Sequence, residues 1–526
     1  MNPEQPQTIP ALLLANGRHD TRLIFDNVVL SYGELYDIST RVATGLSRAG
    51  VAEGERVAIW LANCPEWLAV LCACARVGAI VVPLNPKFRV KEIGDIITRS
   101  GAKAILIDSA TTDAKSVLAD CESLRDLRLV IDLNDQVEPL ERFPELLVVP
   151  YGEILNASGT APDRSSPKRG SLIFTTSGTT NLPKFALHVQ QRLIQHGRNV
   201  ASAIDMTSAS TMAVVVPFCG TYGMSSLFAG LSGGSNLVIP ASWNVSRIAS
   251  LLKERRVTHS MATDDGVEQL LNIADASSFE TVRCLGISGM NPRLEAIFDA
   301  AETKGLTLVN MYGSSELQAL VSIQNPRGSR AERICRGGRL VSADSSVRVV
   351  DPATGDTLAH GERGELQLLA PQSFMCGYFR NAEATAAAMT SDGYFRTGDL
   401  GYSQEDGRFV YLARMGDAMR LGGFLVDPTE IETVLETHEG IAEAQVVSIE
   451  TAQGTRPVAF IIPQNQISVS DRDLIAFVGH KLARYKVPIH YHVVSEFPKA
   501  GGPNGVKVQK AKLRALAEQL ANAAAH

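Results

Sequence analysis

Short apolar runs poor in charge recur along the first half of the chain, over 56–61, 79–84, 104–107, 129–131 and 213–216, and stretches with helical spacing separate them. Runs of that length, without the in–out alternation of a half-solvated sheet, suit strands buried on both faces. Helices between such strands imply crossovers, so the pattern predicts α/β layers with largely parallel sheets. At 526 residues the chain exceeds what one core can serve, and at least two domains are expected. The texture changes after Arg330 to short strands with turn signals, such as 346–350 and 364–369, which predicts a β-rich subdomain. Glycines cluster over 414–423, and the segment beyond reads as a small domain of its own. Its first helix is expected to open at 428–432, and its last to run over 510–524.

Net charge is −6 with no block of like charges, which argues against nucleic-acid and anionic-membrane partners. The apolar stretches 67–75 and 77–84 are far shorter than the ~20 residues of a membrane helix. The charge-free stretch 206–246 is longer, but Gly, Ser and Pro interrupt it, so no membrane span is expected. Residues 1–15 lack the basic start and apolar core of a secretory leader, which points to a cytoplasmic protein. The eight cysteines show no metal-ligand spacing and are expected as buried thiols in a reducing compartment.

The most chemically loaded segment is Thr175-Thr176-Ser177-Gly178-Thr179-Thr180-Asn181-Leu182-Pro183-Lys184, which follows the apolar run 171–174. Hydroxyls and free backbone N–H groups in a tight turn make an anion nest, and the lysine adds full positive charge. A triphosphate suits that chemistry. The spacing is not that of a Walker A loop.

Three further clusters follow. Asn310-Met311-Tyr312-Gly313-Ser314-Ser315-Glu316 offers an aromatic face, a glycine for close approach, a hydroxyl and a carboxylate able to hold Mg²⁺. The segment 392–400 places Asp399 in a turn, where it could accept from two ribose hydroxyls. Arg414-Met415-Gly416-Asp417 and Arg420-Leu421-Gly422-Gly423 supply an arginine, a hinge candidate and a glycine ledge.

In this order and at these separations, the four motifs resemble the adenylate-forming enzymes: acyl-CoA synthetases, peptide-synthetase adenylation domains and firefly luciferase. The resemblance runs from Leu30-Ser31-Tyr32-Gly33-Glu34-Leu35 to Lys507-Val508-Gln509-Lys510-Ala511-Lys512-Leu513-Arg514. It implies a large N-terminal AMP-binding domain, 1–416, and a small mobile α+β C-terminal domain, 417–526. It also implies ATP, Mg²⁺ and CoA as cofactors and a small-molecule carboxylic acid as substrate.

By the same resemblance, Thr176, Ser177, Gly178, Thr179, Thr180 and Lys184 hold the ATP phosphates. Tyr312 stacks on adenine beside Gly313, with Gly289, Met290 and Asn291 in place of the usual Gly-Ala-Pro-like turn. Ser315 touches the α-phosphate and Glu316 binds Mg²⁺. Asp399 and Arg414 hold the ribose, and Asp417 is the hinge. Lys507 matches the catalytic lysine, with Lys510 as the alternative because Val506 interrupts the usual Gly-Lys pair. Gly220, Tyr222 and Gly223 belong to the acyl pocket, and Gly422 and Gly423 face the pantetheine arm of CoA.

The implied reaction is activation of a fatty or aryl acid to an acyl adenylate, with pyrophosphate release and transfer to CoA. A free-standing activator of a carrier-protein phosphopantetheine is the alternative within the family, and a non-catalytic nucleotide-binding protein is the alternative outside it. The identity of the acid and the oligomeric state, homo-oligomer included, are left open. Several positions depart from the family pattern. Asn181 and Phe185 replace glycines, and Phe185 is expected to reposition the segment after the lysine. Gly220 stands where histidine or a large aromatic is common, which would enlarge the acyl site. Asp264 and Asp265 replace a proline-containing turn; a helix N-cap is their expected role, with contact to a polar substrate as the alternative.

Overall fold

A computed structural model of the chain describes residues 5–135, 138–176, 183–291, 293–417, 419–421, 424–451, 454–464, 470–482, 484–502 and 505–524. The chain forms two compact units, Met1–Ser345 with Ala370–Ala387, and Ser346–Leu369 with Ala388–His526.

In the first unit the expected apolar runs are strands of two sheets. Arg56–Ile59, Ile80–Pro83, Ala102–Ile107 and Leu129–Asp132 are parallel neighbours in one sheet. Thr211–Val214 lies in the other, parallel to Asn236–Ile239 and His259–Met261, and the order continues through Cys284–Ile287 to Leu308–Tyr312. The carboxyl ends of parallel strands are where open α/β sheets collect ligand-binding loops. Two of the candidate site segments, the turn after Ile287 and the loop after Tyr312, start at such ends.

Helices wedge between and around the sheets. Tyr32–Arg48 starts on a capping box, in which Ser31 Oγ accepts from Glu34 N at 3.1 Å and Glu34 accepts from Ser31 N at 2.7 Å. Tyr32 is fully buried and donates its hydroxyl to the Ser235 carbonyl at 2.7 Å. Burying a ring of that size contributes roughly 2–3 kcal/mol, and the paired hydroxyl avoids a desolvation penalty.

Pro65–Val77 holds Trp67, Cys72 and Cys74 in the interior, so this apolar stretch is a core helix. Among the described residues no helix is long and apolar enough to cross a membrane. Cys121, Cys219 and Cys284 are buried as well. Cys335 and Cys376 are exposed and Cys64 is half-buried, so the expected burial of every thiol does not hold.

In the second unit, Ser346–Val350, Gly364–Leu369, Phe395–Ser403 and Phe409–Arg414 form consecutive antiparallel pairs, which accounts for the β-rich texture. Further on, Ile441–Thr451 and Gly454–Pro463 form a long hairpin, with Tyr491–Val493 parallel to its second arm. The helices Pro428–Glu436 and Lys510–Ala524 begin where proline and lysine were expected to open them.

Candidate active site

The loop of hydroxyls joins two antiparallel strands, Gly170–Thr175 and Phe185–Val189. Its base is closed by Thr176 N donating to the Lys184 carbonyl at 2.8 Å. Ser177, Gly178, Thr179, Thr180 and Asn181 lie outside the described residues. Phe185 opens the strand that follows the lysine. It pairs with Thr175 in the ladder, is 4% exposed, and carries the Arg99 guanidinium over its ring at 4.7 Å. Arg99 also donates to the Pro183 carbonyl at 2.7 Å, so the bulky ring gives the loop's descending arm an anchor that glycine would lack.

Tyr312 ends its strand 8% exposed. At Gly313 the chain turns so tightly that a Cβ would sit 1.8 Å from the Ala319 carbonyl oxygen, and only glycine fits. A short 3₁₀ turn, Ser315–Leu317, then presents Ser315 and Glu316.

Two buried histidines hold this loop from the side of the Phe185–Val189 strand and the helix after it. His188 Nε2 lies 2.8 Å from the Ser315 carbonyl, and His196 Nε2 lies 3.1 Å from that of Gln318. A carbonyl only accepts, so both rings carry their proton on Nε2. His196 Nδ1 then accepts from Ser373 Oγ at 2.8 Å. Burial pushes the His188 pKa down to about 4 and that of His196 down to about 3, so both rings are neutral at pH 7.

Glu316 Oε1 accepts from the Tyr378 hydroxyl at 2.7 Å. The same Tyr378 ring lies under Lys184 Nζ, 5.0 Å from its centroid. Tyr378 belongs to a two-residue strand, Gly377–Tyr378, that pairs with Leu187 and Ala186, and its N–H donates to Thr385 Oγ1 at 2.8 Å. Lys184 and Glu316, far apart in sequence, therefore meet on one aromatic ring.

The turn after Ile287 lies close by in the same unit. Gly289 has φ +67°, and a Cβ there would come within 2.3 Å of the Asn310 amide. Asn310 is fully buried; its Nδ2 donates to the Ile334 carbonyl at 2.8 Å, while its Oδ1 has no hydrogen-bond partner. Asp264 is not the cap of its helix. Thr263 caps Asp264–Ile273, its side chain accepting from Gly266 N at 3.2 Å, and the Asp264 carboxylate turns to the 288–291 backbone instead.

Of the acyl-pocket candidates, Gly220 precedes the buried helix Thr221–Ser232 in an extended conformation, φ −97° and ψ 150°. Tyr222 donates its hydroxyl to the carbonyls of Gly286 at 2.9 Å and Ala262 at 3.3 Å. Burial, and secondarily the Asp264 carboxylate, raise its pKa well above the usual phenol value. Gly223 is buried one residue further along. Thr221 donates to Ser315 Oγ at 3.1 Å, which ties this helix to the Tyr312–Glu316 loop.

In the second unit, Asp399 is 3% exposed and faces Arg414 across the strand pair, with Arg414 Nη1 3.0 Å from Asp399 Oδ1. Arg414 also donates to the Thr397 carbonyl at 3.0 Å, and Asp417 N donates to the Arg414 carbonyl at 2.9 Å. Gly422 and Gly423 lie outside the described residues.

Lys507 sits on the strand Gly505–Val508, opposite Ala500 of Lys499–Gly502. Lys510 is committed elsewhere. Its Nζ is 2.6 Å from Glu432 Oε1, with side-chain exposures of 14% and 9%, and Glu432 also accepts from Val446 N at 2.8 Å. Burial raises the Glu432 pKa, and Lys510 opposes that rise.

Among the described residues no group of three or more His, Cys, Asp or Glu side chains gathers to hold a metal. A lone carboxylate such as Glu316 nevertheless fits Mg²⁺, which takes one or two protein carboxylates and completes its octahedron with water and phosphate oxygens. Tyr378, His188 and His196 went unseen in the sequence. The only signal for the histidines was their position just after the lysine loop, and for Tyr378 there was none.

The chain matches the AMP-binding enzyme family over residues 14–379 and the AMP-binding enzyme C-terminal domain over residues 430–502. A 4-coumarate–CoA ligase of Vanilla planifolia is 28% identical over 505 residues, covering 93% of this chain and 88% of that protein. A feruloyl-CoA synthase of an Amycolatopsis species is 28% identical over 505 residues, covering 94% and 96%. Among solved structures, the O-succinylbenzoate coenzyme A synthetase of Bacillus subtilis in complex with AMP has a TM-score of 0.80 at 23% identity, covering 97% of this chain and 98% of that one; it speaks for the fold alone. With its family match spanning the parallel-sheet unit and the Tyr312–Glu316 loop, the chain belongs to the AMP-binding enzymes.

Proposed function

We propose that this enzyme activates a carboxylic acid with ATP and transfers the acyl group to the thiol of CoA. The observation that carries the reading is the convergence of Lys184 and Glu316 on Tyr378, beside a loop that also presents Tyr312 and Ser315. A cationic and an anionic group held on one aromatic ring, the anion in the loop that follows Tyr312, suit a nucleoside triphosphate with its metal. Both sequence relatives act on hydroxycinnamic acids by name, so an aryl acid is the leading substrate class, ahead of a fatty acid.

In the first half-reaction a carboxylate oxygen attacks the α-phosphorus of ATP. The bond to the bridging oxygen breaks, and pyrophosphate leaves with the electron pair. Negative charge grows on the α-phosphoryl oxygens and on the leaving group. Lys184 is assigned to the phosphates, along with Thr176 and the hydroxyl loop, and Lys507 to the α-phosphoryl oxygens and the incoming carboxylate. Mg²⁺ held at Glu316 would neutralise phosphate charge.

Tyr312 is assigned to the adenine face. The orphaned Oδ1 of buried Asn310 adds an acceptor for the exocyclic amine. Asp399 and Arg414 are assigned to the ribose hydroxyls. In the second half-reaction the CoA sulfur attacks the acyl carbon, the thiol proton is lost to solvent or base, and AMP departs.

The division at 416/417, with Asp417 as hinge and Gly422 and Gly423 on the pantetheine side, belongs to the same proposal. So does a cytoplasmic setting, where ATP and a reduced CoA thiol are both available. The test is a panel of aryl and fatty acids assayed for pyrophosphate and AMP release with and without CoA. AMP release that requires acid and CoA supports the ligase. Transfer only to a carrier-protein phosphopantetheine moves the acceptor assignment. ATP binding with no acid-dependent pyrophosphate release across the panel overturns the enzymatic reading.

A further inference from the structure

Asp264 is 5% exposed, and its carboxylate is saturated by one turn of backbone. Ser288 N and Gly289 N each donate to Oδ1 at 3.0 Å, Asn291 N donates to Oδ2 at 2.9 Å, and Met290 N donates to Oδ2 as well. Ser288 Oγ adds a bond to Oδ1 at 3.2 Å. Beside it, Asp265 Oδ1 accepts from Asn291 Nδ2 at 2.9 Å. Successive N–H groups converging on one anion form a nest, and here the anion belongs to the chain itself.

The nest dictates what the turn shows on its other side. The described peptide bonds include no cis linkage. In a planar trans peptide the carbonyl points opposite to the N–H. With the N–H groups of Gly289, Met290 and Asn291 aimed at Asp264, the carbonyls of Ser288, Gly289 and Met290 turn away from it. Gly289 abuts the Asn310 amide, whose Oδ1 is a buried acceptor without a partner. The region thus gathers acceptors. An exocyclic amine on a purine complements them, and a purine carbonyl oxygen in the same place is repelled.

We propose that Asp264 is a positioning residue for nucleotide selection: by holding the 288–291 turn with its N–H groups inward, it sets the acceptor face that favours adenine over guanine nucleotides. The inference rests on the assignment of this turn to the nucleotide base. Asp264 does not touch the ligand; it acts through the turn.

The variant Asp264→Asn keeps the side-chain volume but turns an NH₂ group toward backbone donors. Binding of ATP and GTP to the full-length enzyme is measured by calorimetry, with KM for CoA and the unfolding midpoint as companions. ATP affinity is expected to fall about tenfold and the ATP-to-GTP ratio to shrink by a similar factor, while KM for CoA stays put. A general loss of stability would not change base preference, so the ratio separates positioning from packing. A folded D264N that binds ATP with wild-type affinity and ratio overturns the proposal. If D264N does not fold, Asp264→Glu carries the test. It keeps the charge and shifts the turn by a methylene, and wild-type ATP-to-GTP discrimination in the folded D264E variant overturns the proposal equally. Wild-type enzyme that binds neither nucleotide defeats the assignment of the site and not the role of Asp264 within it.

Discussion

The Tyr378 hydroxyl donates to Glu316 Oε1 at 2.7 Å while the face of the same ring lies 5.0 Å from Lys184 Nζ, so one side chain touches both the lysine proposed for the phosphates and the carboxylate proposed for the metal. Tyr378 is in turn fixed by its strand pairing with Ala186 and by the bond from its N–H to Thr385. Tyr378→Phe removes the bond to Glu316 and leaves the ring under the lysine. Hydrogen bonds to charged groups contribute about 1.5–3 kcal/mol. The adenylation rate is expected to fall about tenfold, with an increased Mg²⁺ requirement and an unfolding midpoint close to wild type. Pyrophosphate release titrated with Mg²⁺, alongside Mn²⁺ binding followed by EPR, checks this; an unchanged Mg²⁺ titration removes Tyr378 from the site.

The two lysines near the C-terminus are expected to fail in different ways. Lys507→Ala should cost ~10²–10³ in adenylation, the usual loss for one preorganised electrostatic contact, and spare thiolation of a supplied acyl adenylate. Lys510→Ala leaves Glu432 buried without its cation. Breaking a buried pair by removing one partner typically costs about 3–5 kcal/mol, so this variant should lose stability first. Half-reaction assays and urea denaturation run on both variants separate the roles. A stable K510A that cannot adenylate would exchange the two assignments.

Acid stability should report on the buried histidines. With folded pKa values of about 4 for His188 and about 3 for His196, both lie below the ordinary value of 6.5. The unfolded chain therefore binds more protons than the folded one between those limits, and stability present above pH 6.5 is lost as pH falls toward 4. Each ring contributes on the order of 3 kcal/mol to that loss. His188→Gln retains a donor for the Ser315 carbonyl and does not titrate. Its urea midpoint should fall less steeply than wild type between pH 7 and 5, and parallel profiles would show that His188 does not drive the loss.

Gly220 is extended, with φ −97°, so a side chain there meets no backbone strain. Gly220→Trp is expected to exclude the bulkier acids of the panel while leaving KM for ATP unchanged. Unaltered specificity would take Gly220 out of the acyl pocket.

How far the sequence carried depended on whether a feature was local. The parallel strands were legible because fully buried strands of this kind leave unbroken apolar runs, as over 104–107 and 129–131. The last helix, Lys510–Ala524, was legible from its own composition. The surroundings of Phe185 were not legible because the neighbour over its ring, Arg99, lies on the distant helix Val90–Ser100 and leaves no trace beside the loop. Asp264 was misjudged for the same reason. An acidic residue before a helical pattern reads as a cap, but Thr263 does the capping, and only the approach of the distant 288–291 backbone shows where the Asp264 carboxylate goes. Tyr378 was invisible because nothing in the residues around it encodes a meeting with Glu316.

The short strand that brings Tyr378 to the lysine hairpin also orders events during biosynthesis. The hairpin leaves the ribosome early, with one edge bare until Gly377 and Tyr378 have been made and pair with Leu187 and Ala186. A nascent chain halted before that point would hold the lysine loop with an open sheet edge and no ring beneath Lys184. Such an edge invites pairing with other chains. Truncation products ending short of Tyr378 are therefore expected to be substrates for chaperones and proteases, and the contacts of Tyr378 with Lys184 and Glu316 form only once residue 378 has emerged.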